Sequence, residues 1–343
     1  MPQRRAHLVG SLPGADAQDA MRSALDQLGP LLASLPDGET GERRNWILNI
    51  VEGMRQHPDL EVAKEGDWSD YDKTPRFKIR RGHQLYGATL NFGHVAAVKQ
   101  SWPTFEALRK ESGQPELSFL TGIPGDVDMT MFTLGPAGLL RHRRPFTEAT
   151  LHEIRTIHEM TGGQSVFQIE VPAELVLLTK APPPARPALA KVLGKRIADL
   201  AAGAEEGTRF GVHLCLGDMN HRAFGRMRDA APLVALSNAI VRAWPAGRPL
   251  EFVHAPFAAA DEPPPADPEF YAPLAGLNLP TETRFIAGIA HEAQGLATQE
   301  TIRSLIDGHL GHPVDISTSC GLGRREESAA RAAMERIRVL CLA

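Results

Sequence analysis

The feature that most restricts the fold is an alternation. Short apolar runs of strand length take turns with longer stretches of helical periodicity from one end of the 343-residue chain to the other. Strands separated by helices favour parallel pairing, because a parallel crossover needs a dozen or more residues and a helix supplies them. The runs lie at residues 6–10, 31–35, 117–121, 166–170, 211–215, 250–254, 284–289 and 314–317. Helical patterns fall at 16–28, from Trp46, at 103–111, through Leu140, and at 148–161, 188–205, 230–243, 298–310 and 326–340. Asp16 is placed to cap the first of them. Eight such strands predict an α/β fold, a (β/α)8 TIM barrel forming one domain over residues 1–343, with a doubly wound open sheet as the alternative. Residues 58–102 interrupt the rhythm, and within them 76–80 and 87–92 read as a hairpin excursion after the second strand.

Composition removes several classes of function. The formal net charge is −4 with no basic stripe, which argues against a nucleic-acid partner. No apolar run approaches a membrane span, and residues 1–7 lead into the first strand without a signal-peptide core. Three cysteines, Cys215, Cys320 and Cys341, are too few for a disulfide framework, so reduced thiols and a cytoplasmic location are expected. Cys341 ends the last amphipathic helix and reads as core filling.

The other two cysteines carry chemistry. In Gly211-Val212-His213-Leu214-Cys215 the strand period of two puts His213 and Cys215 on the same face. Cys320 follows much later, in the Gly-rich turn Cys320-Gly321-Leu322-Gly323-Arg324. One imidazole and two thiolates suit zinc, leaving a fourth position for a carboxylate, water or substrate. Ser11, Glu39, Asp126, Glu170, Glu251 and His291 also lie in or just past the strand runs, most of them at C-terminal ends. In a barrel those ends converge on one mouth, so the residues together imply a polar cavity.

These stretches resemble the C-terminal catalytic domain of cobalamin-independent methionine synthase, within the methionine synthase/uroporphyrinogen decarboxylase barrel superfamily. The similar segments are Val9-Gly10-Ser11-Leu12-Pro13, Asp37-Gly38-Glu39 with Arg43, Leu120-Thr121-Gly122 and Gln168-Ile169-Glu170-Val171-Pro172-Ala173. His213-Leu214-Cys215, Leu250-Glu251, Ile289-Ala290-His291 and Cys320-Gly321-Leu322 follow in the family's order. The resemblance implies zinc held by His213, Cys215, Glu251 and Cys320, with His254 as the alternative to Glu251, since only one of the two faces the mouth on a regular strand. It implies His291 as proton donor, Ser11 and Glu39 on the amino-acid end of a thiol substrate, and Glu170 on its ammonium. Asp218 corresponds to a family glutamate near the metal and is taken as substrate-binding.

The activity so implied is zinc-dependent methyl transfer to a small-molecule thiol such as homocysteine, as in methionine biosynthesis, by thiol activation. Glu170 stands in place of a family aspartate, and Val176 and Phe132 stand where the family holds a glutamate and a tryptophan against the pterin of its donor. The methyl donor is therefore left open among methylfolate, a methyl-corrinoid protein and another small donor. Two alternatives stay in view: a different zinc–thiol reaction, such as thiol addition to an epoxide or a lyase reversal, and an inactive zinc- or thiol-binding barrel. Arg43, Arg44 and Arg324 are either carboxylate ligands or surface charges.

Overall fold

The structure, a computed structural model, describes residues 4–45 and 47–343. Its centre is a curled parallel sheet of seven strands: β1 (Ser34–Pro36), β4 (Ser118–Pro124), β5 (Ser165–Val171), β6 (Arg209–Leu214), β7 (Leu250–Pro256), β8 (Arg284–Gly288) and β9 (Asp315–Ser317), paired in that order. Strands β2 (Leu60–Lys64) and β3 (Arg76–Ile79) form a separate antiparallel hairpin. The helices are α1 (Ala17–Leu28), α2 (Leu48–Gly53), α3 (His94–Glu111), α4 (Asp126–Met160), α5 (Pro172–Lys180), α6 (Arg186–Ala202), α7 (Ala231–Ala243), α8 (Leu296–Leu310) and α9 (Glu327–Leu342). None of the described helices is long and apolar enough to cross a membrane.

The expected eighth strand, residues 6–10, takes a different form. Ala6 makes single parallel bridges to Leu32 on one side and Ile316 on the other. Its N–H donates to the Leu31 carbonyl at 2.9 Å, and the His7 N–H to that of Ile316 at 2.9 Å. The segment thus meets both margins of the seven-stranded sheet through isolated bridges rather than a ladder.

Alternation along the strands builds the interior of the curl in layers. Leu120, Val166, Phe252 and Ile286 form a small apolar cluster on the inner face. Two residues further along their strands come Gly122, Gln168 and His254, and Glu170 and His213 follow on the same faces, His213 directly opposite His254 in the register. The intervening residues Phe119, Phe167, Ile169, Phe210, Val212 and Phe285 point outward into the main core beneath the helices. All seven residues of β5 are buried, which fits a strand covered on both faces.

One expectation needs correction. The partner of 76–79 is the preceding segment: Leu60 pairs with Ile79 and Val62 with Phe77, while 87–92 holds only a short 3₁₀ turn, Gly87–Thr89. Leu60 and Phe77 bury together with Leu90 and Phe92, so both segments contribute to one satellite core without pairing. The two helices expected up to Leu140 and over 148–161 are borne out: they follow one another within α4, parted where Gly135 and His142 leave helical geometry. Pro172, immediately after β5, is the first residue of α5, a position that needs no N–H. The helix start expected at Trp46 lies outside the described residues; α2 begins at Leu48.

Candidate metal and thiol site

His213, at the C-terminal end of β6, and Cys215 just beyond it do face the same way, and both are buried. Cys320 arrives from the turn after β9. One potential ligand atom from each of the three lies within 4.8 Å of the others. The two sulfurs are 3.7 Å apart. Two thiolates on one tetrahedral zinc, each at about 2.3 Å, sit roughly 3.8 Å from one another, so the pair is spaced for a shared ion. The donor set and its spacing therefore fit a soft divalent metal.

The turn that carries Cys320 is held in place by Ser11. The Ser11 carbonyl accepts from the N–H groups of Leu322 (2.6 Å) and Gly323 (3.0 Å). A Cβ on Gly321 would stand 2.3 Å from the Ser11 hydroxyl oxygen and 3.0 Å from its backbone nitrogen, so glycine lets the turn approach Ser11 this closely. Ser11 thus positions the turn that carries Cys320 as well as lining the cavity.

Charge around the sulfurs comes from Arg324. Its guanidinium lies 3.1 Å from the Cys320 sulfur, and two of its nitrogens lie 3.0 and 3.1 Å from one oxygen of Asp218. The hydrogen bond from the Cys215 thiol, helped by Arg324, holds Cys320 below the ordinary thiol range, whereas that same bond and burial push Cys215 up. Burial works against an ionised Asp218, but Arg324, His221 and Arg325 together outweigh it and hold the carboxyl below its usual range. The other oxygen of Asp218 meets His221 at 3.2 Å. Asp218 is therefore committed to Arg324 and His221, and its contact with a substrate would have to displace one of them.

Glu39 and Glu170 converge from β1 and β5. A Cβ on Gly122 would meet a carboxylate oxygen of each, at 2.9 and 2.8 Å. Burial, then the neighbouring Glu170, pushes Glu39 up to about 8. Gln168 orients Glu170: its amide donates to a Glu170 oxygen at 2.9 Å and to the Val9 carbonyl at 2.6 Å, while its own oxygen faces His7 at 2.9 Å. The two carboxylates, Ser11, the three metal-site residues and Arg324 all line one cavity, of about 830 Å³ including its open mouth.

Much of the remaining wall is aromatic, and of these residues the sequence pointed only to Phe132. Trp68 and Tyr71, from the loop between β2 and β3, line the cavity together with Phe132 and Phe224. The Tyr71 hydroxyl donates to the Arg222 carbonyl (2.9 Å) and accepts from the Met219 N–H (2.8 Å). Its ring stacks on Phe224 at 4.4 Å, and the Asn220 amide donates to the Trp68 carbonyl at 2.8 Å. The excursion is thus fastened over the mouth to the loop that follows Cys215. No local signal marks Tyr71, because its partners lie about 150 positions away in the chain.

Two expected residues are not brought to the sulfurs. Glu251 is the second residue of β7, at its N-terminal end, where its carboxylate pairs with Arg209 at 2.5 Å. The register sets His213 opposite His254, three residues further on, which at ~3.3 Å per residue leaves Glu251 about 10 Å short of that level. Glu251 is therefore not part of the cluster, and His254 is the residue of that strand beside His213. His291 is buried away from the cavity lining. One ring nitrogen faces the Ala260 carbonyl at 3.1 Å and the other accepts from the Ala293 N–H at 3.2 Å. Burial also lowers its pKa, so it stands as a neutral, backbone-held ring.

No protein-family model matches the chain, and no curated protein matches it in sequence. Solved structures do match. A B12-independent methionine synthase from Shewanella sp. W3-18-1, in complex with selenomethionine, superposes with a TM-score of 0.60 at 13% identity, covering 99% of this chain and 97% of that one. A methyltransferase from Methanosarcina mazei gives 0.58 at 13% identity, covering 100% and 95%. At such identities the likeness establishes a shared fold.

Proposed function

We propose that this protein is a zinc-dependent methyltransferase acting on a small thiol, of the kind that methylates homocysteine, built on a single closed (β/α)8 barrel with the segment around Ala6 as its eighth stave. The observation that carries the reading is the 3.7 Å separation of the Cys215 and Cys320 sulfurs, with His213 beside them, on the wall of a cavity that also holds two carboxylates. The names of the two similar structures, a methionine synthase and a methyltransferase, support the same class of reaction. The reading places the protein in the cytoplasm, where thiols stay reduced.

His213, Cys215 and Cys320 would hold the ion. Bound there, zinc would act as a Lewis acid, lowering the pKa of an incoming thiol so that it is a nucleophile at neutral pH. Arg324 offsets part of the negative charge that two thiolates and Asp218 bring to the wall. Glu39 and Glu170 form an anionic corner that binds the acceptor's ammonium, and its arrival ionises Glu39. Trp68, Tyr71, Phe132 and Phe224 exclude water and offer flat apolar surface to the methyl donor, whether a folate, a corrinoid protein or a smaller molecule. No step is assigned to His291.

Metal analysis tests the site. The purified protein is expected to carry about one zinc per chain, lost in Cys215→Ser and in Cys320→Ser but kept in Glu251→Gln. Zinc retained in both serine variants would remove the reading. Zinc-edge absorption should show an added sulfur neighbour when homocysteine is supplied; an unchanged spectrum would exclude it as the acceptor.

A further inference from the structure

Behind His213 runs a hydrogen-bonded chain that the proposed chemistry does not use. The Nδ1 atoms of His213 and His254 are 2.6 Å apart, and His254 Nε2 lies 2.9 Å from the Thr318 carbonyl oxygen. His254 is fully buried on β7, directly opposite His213 in the strand register. Thr318 belongs to the turn that carries Cys320, and its hydroxyl donates to the Cys320 carbonyl at 2.8 Å. The chain therefore links the elements bearing two of the three metal-site residues.

Proton positions follow from what each atom can do. A carbonyl oxygen only accepts, so His254 Nε2 must carry a proton. Two facing ring nitrogens need one proton between them, so one Nδ1 donates and the other is bare. A doubly protonated His254 would be a buried cation whose nearest ring neighbours are His7 and His213, with ring centroids 5.6 and 4.6 Å away. Burial disfavours that state strongly. His254 is then the neutral Nε2–H tautomer with a bare Nδ1, and the shared proton sits on His213.

Resting on the metal reading above, we infer that His254 is a positioning residue: it accepts the Nδ1 proton of His213 and so presents the bare Nε2 of His213 to a metal beside Cys215 and Cys320. It turns the ring, selects the tautomer and raises the basicity of the donating nitrogen, as outer partners of metal-binding imidazoles do. His254 is not itself within the group of potential ligands.

Two measurements test this. In metal-free protein labelled with ¹⁵N-histidine, long-range ¹H–¹⁵N correlations should show one ring as the Nδ1–H tautomer, His213, and its partner as Nε2–H. The Nδ1–H pattern should be altered in His254→Phe, which assigns it. Finding His213 as Nε2–H overturns the inference, whether or not the protein binds zinc. The second measurement is zinc affinity by competition with a chromogenic chelator. His254→Phe, which fills the space but accepts nothing, should weaken zinc roughly 10- to 100-fold. His254→Asn, whose amide oxygen can take the place of Nδ1, should recover most of that loss. Equal losses in Phe and Asn variants would reduce His254 to packing, and a loss in His254→Asn as complete as in Cys320→Ser would make it a ligand. Either result overturns the positioning role. Wild-type protein without zinc would sink the proposed function, and the tautomers alone would then decide the relay.

Discussion

Glu39 shows at the scale of one residue how the site is set against the stability of the fold. Its backbone sits at φ 43°, a left-handed conformation that costs a non-glycine residue about 1–3 kcal/mol. The strain is held by Asp37, which accepts from the Glu39 N–H at 2.9 Å and pairs with Arg43 at 2.7 Å. Arg43 thus supports the turn rather than binding substrate. With Glu39 pushed up to about 8, the folded state keeps a proton that the unfolded chain loses near 4.5. The folded state binds more protons between those values, so this contribution to stability is full at low pH and is lost as pH rises toward 8. Glu39→Gln has no such loss. Melting curves should show the variant gaining on the wild type as pH rises from about 5 to 8, by on the order of 2 kcal/mol, while a cationic thiol binds it more weakly. Parallel pH profiles would mean that Glu39 is not held protonated. The Asp-Gly-Glu segment was legible as a candidate in the sequence, but its strained geometry and the nearness of Glu170 were not, since the two carboxylates meet only across Gly122.

Among the elements, the hairpin of β2 and β3 decides how open the site is. Its loop brings Trp68 and Tyr71 to the mouth, and the Tyr71 hydroxyl is the main polar fastening to the loop after β6. Tyr71→Phe keeps the stacking on Phe224 and removes both hydrogen bonds. It should cost about 1 kcal/mol or less in global stability, because the freed groups lie near water. The Met219 amide should nevertheless exchange with solvent markedly faster, and the acceptor should dissociate faster. Unchanged exchange at Met219 would mean that the loop is held by packing alone. Sequence periodicity located this excursion and one of its strands. It missed the other because Leu60–Lys64 alternates poorly, with only Leu60 buried. The same weakness hid α5, whose opening residues continue the apolar run of β5 and differ from it only in the proline placed at the first helical turn.

For the whole molecule, the decisive feature is how residues 4–7 join the two margins of the sheet. Besides the two bridges of Ala6, Arg4 pairs with Asp307 at 2.5 Å and donates to the Val314 carbonyl, and the Arg5 N–H donates to Asp315. Ala6→Pro removes the N–H that meets the Leu31 carbonyl and should lower stability by about 3 kcal/mol in a thermal melt followed by circular dichroism. A change within about 0.5 kcal/mol would show the segment to be an appendage rather than a stave.

At 13% identity this chain keeps the fold of a methionine synthase, which is what a pattern-driven architecture allows. Strand and helix periodicity, carried by local side-chain chemistry, was enough to set out the parallel α/β framework and to put His213 and Cys215 on one face. Whether Cys320 meets them, whether β7 offers Glu251 or His254, and whether Asp218 is free or held by Arg324 were decided by tertiary structure. Each depends on strand register or on loops that meet across more than a hundred residues of chain, and side-chain period specifies the face a residue takes but not its level along the sheet.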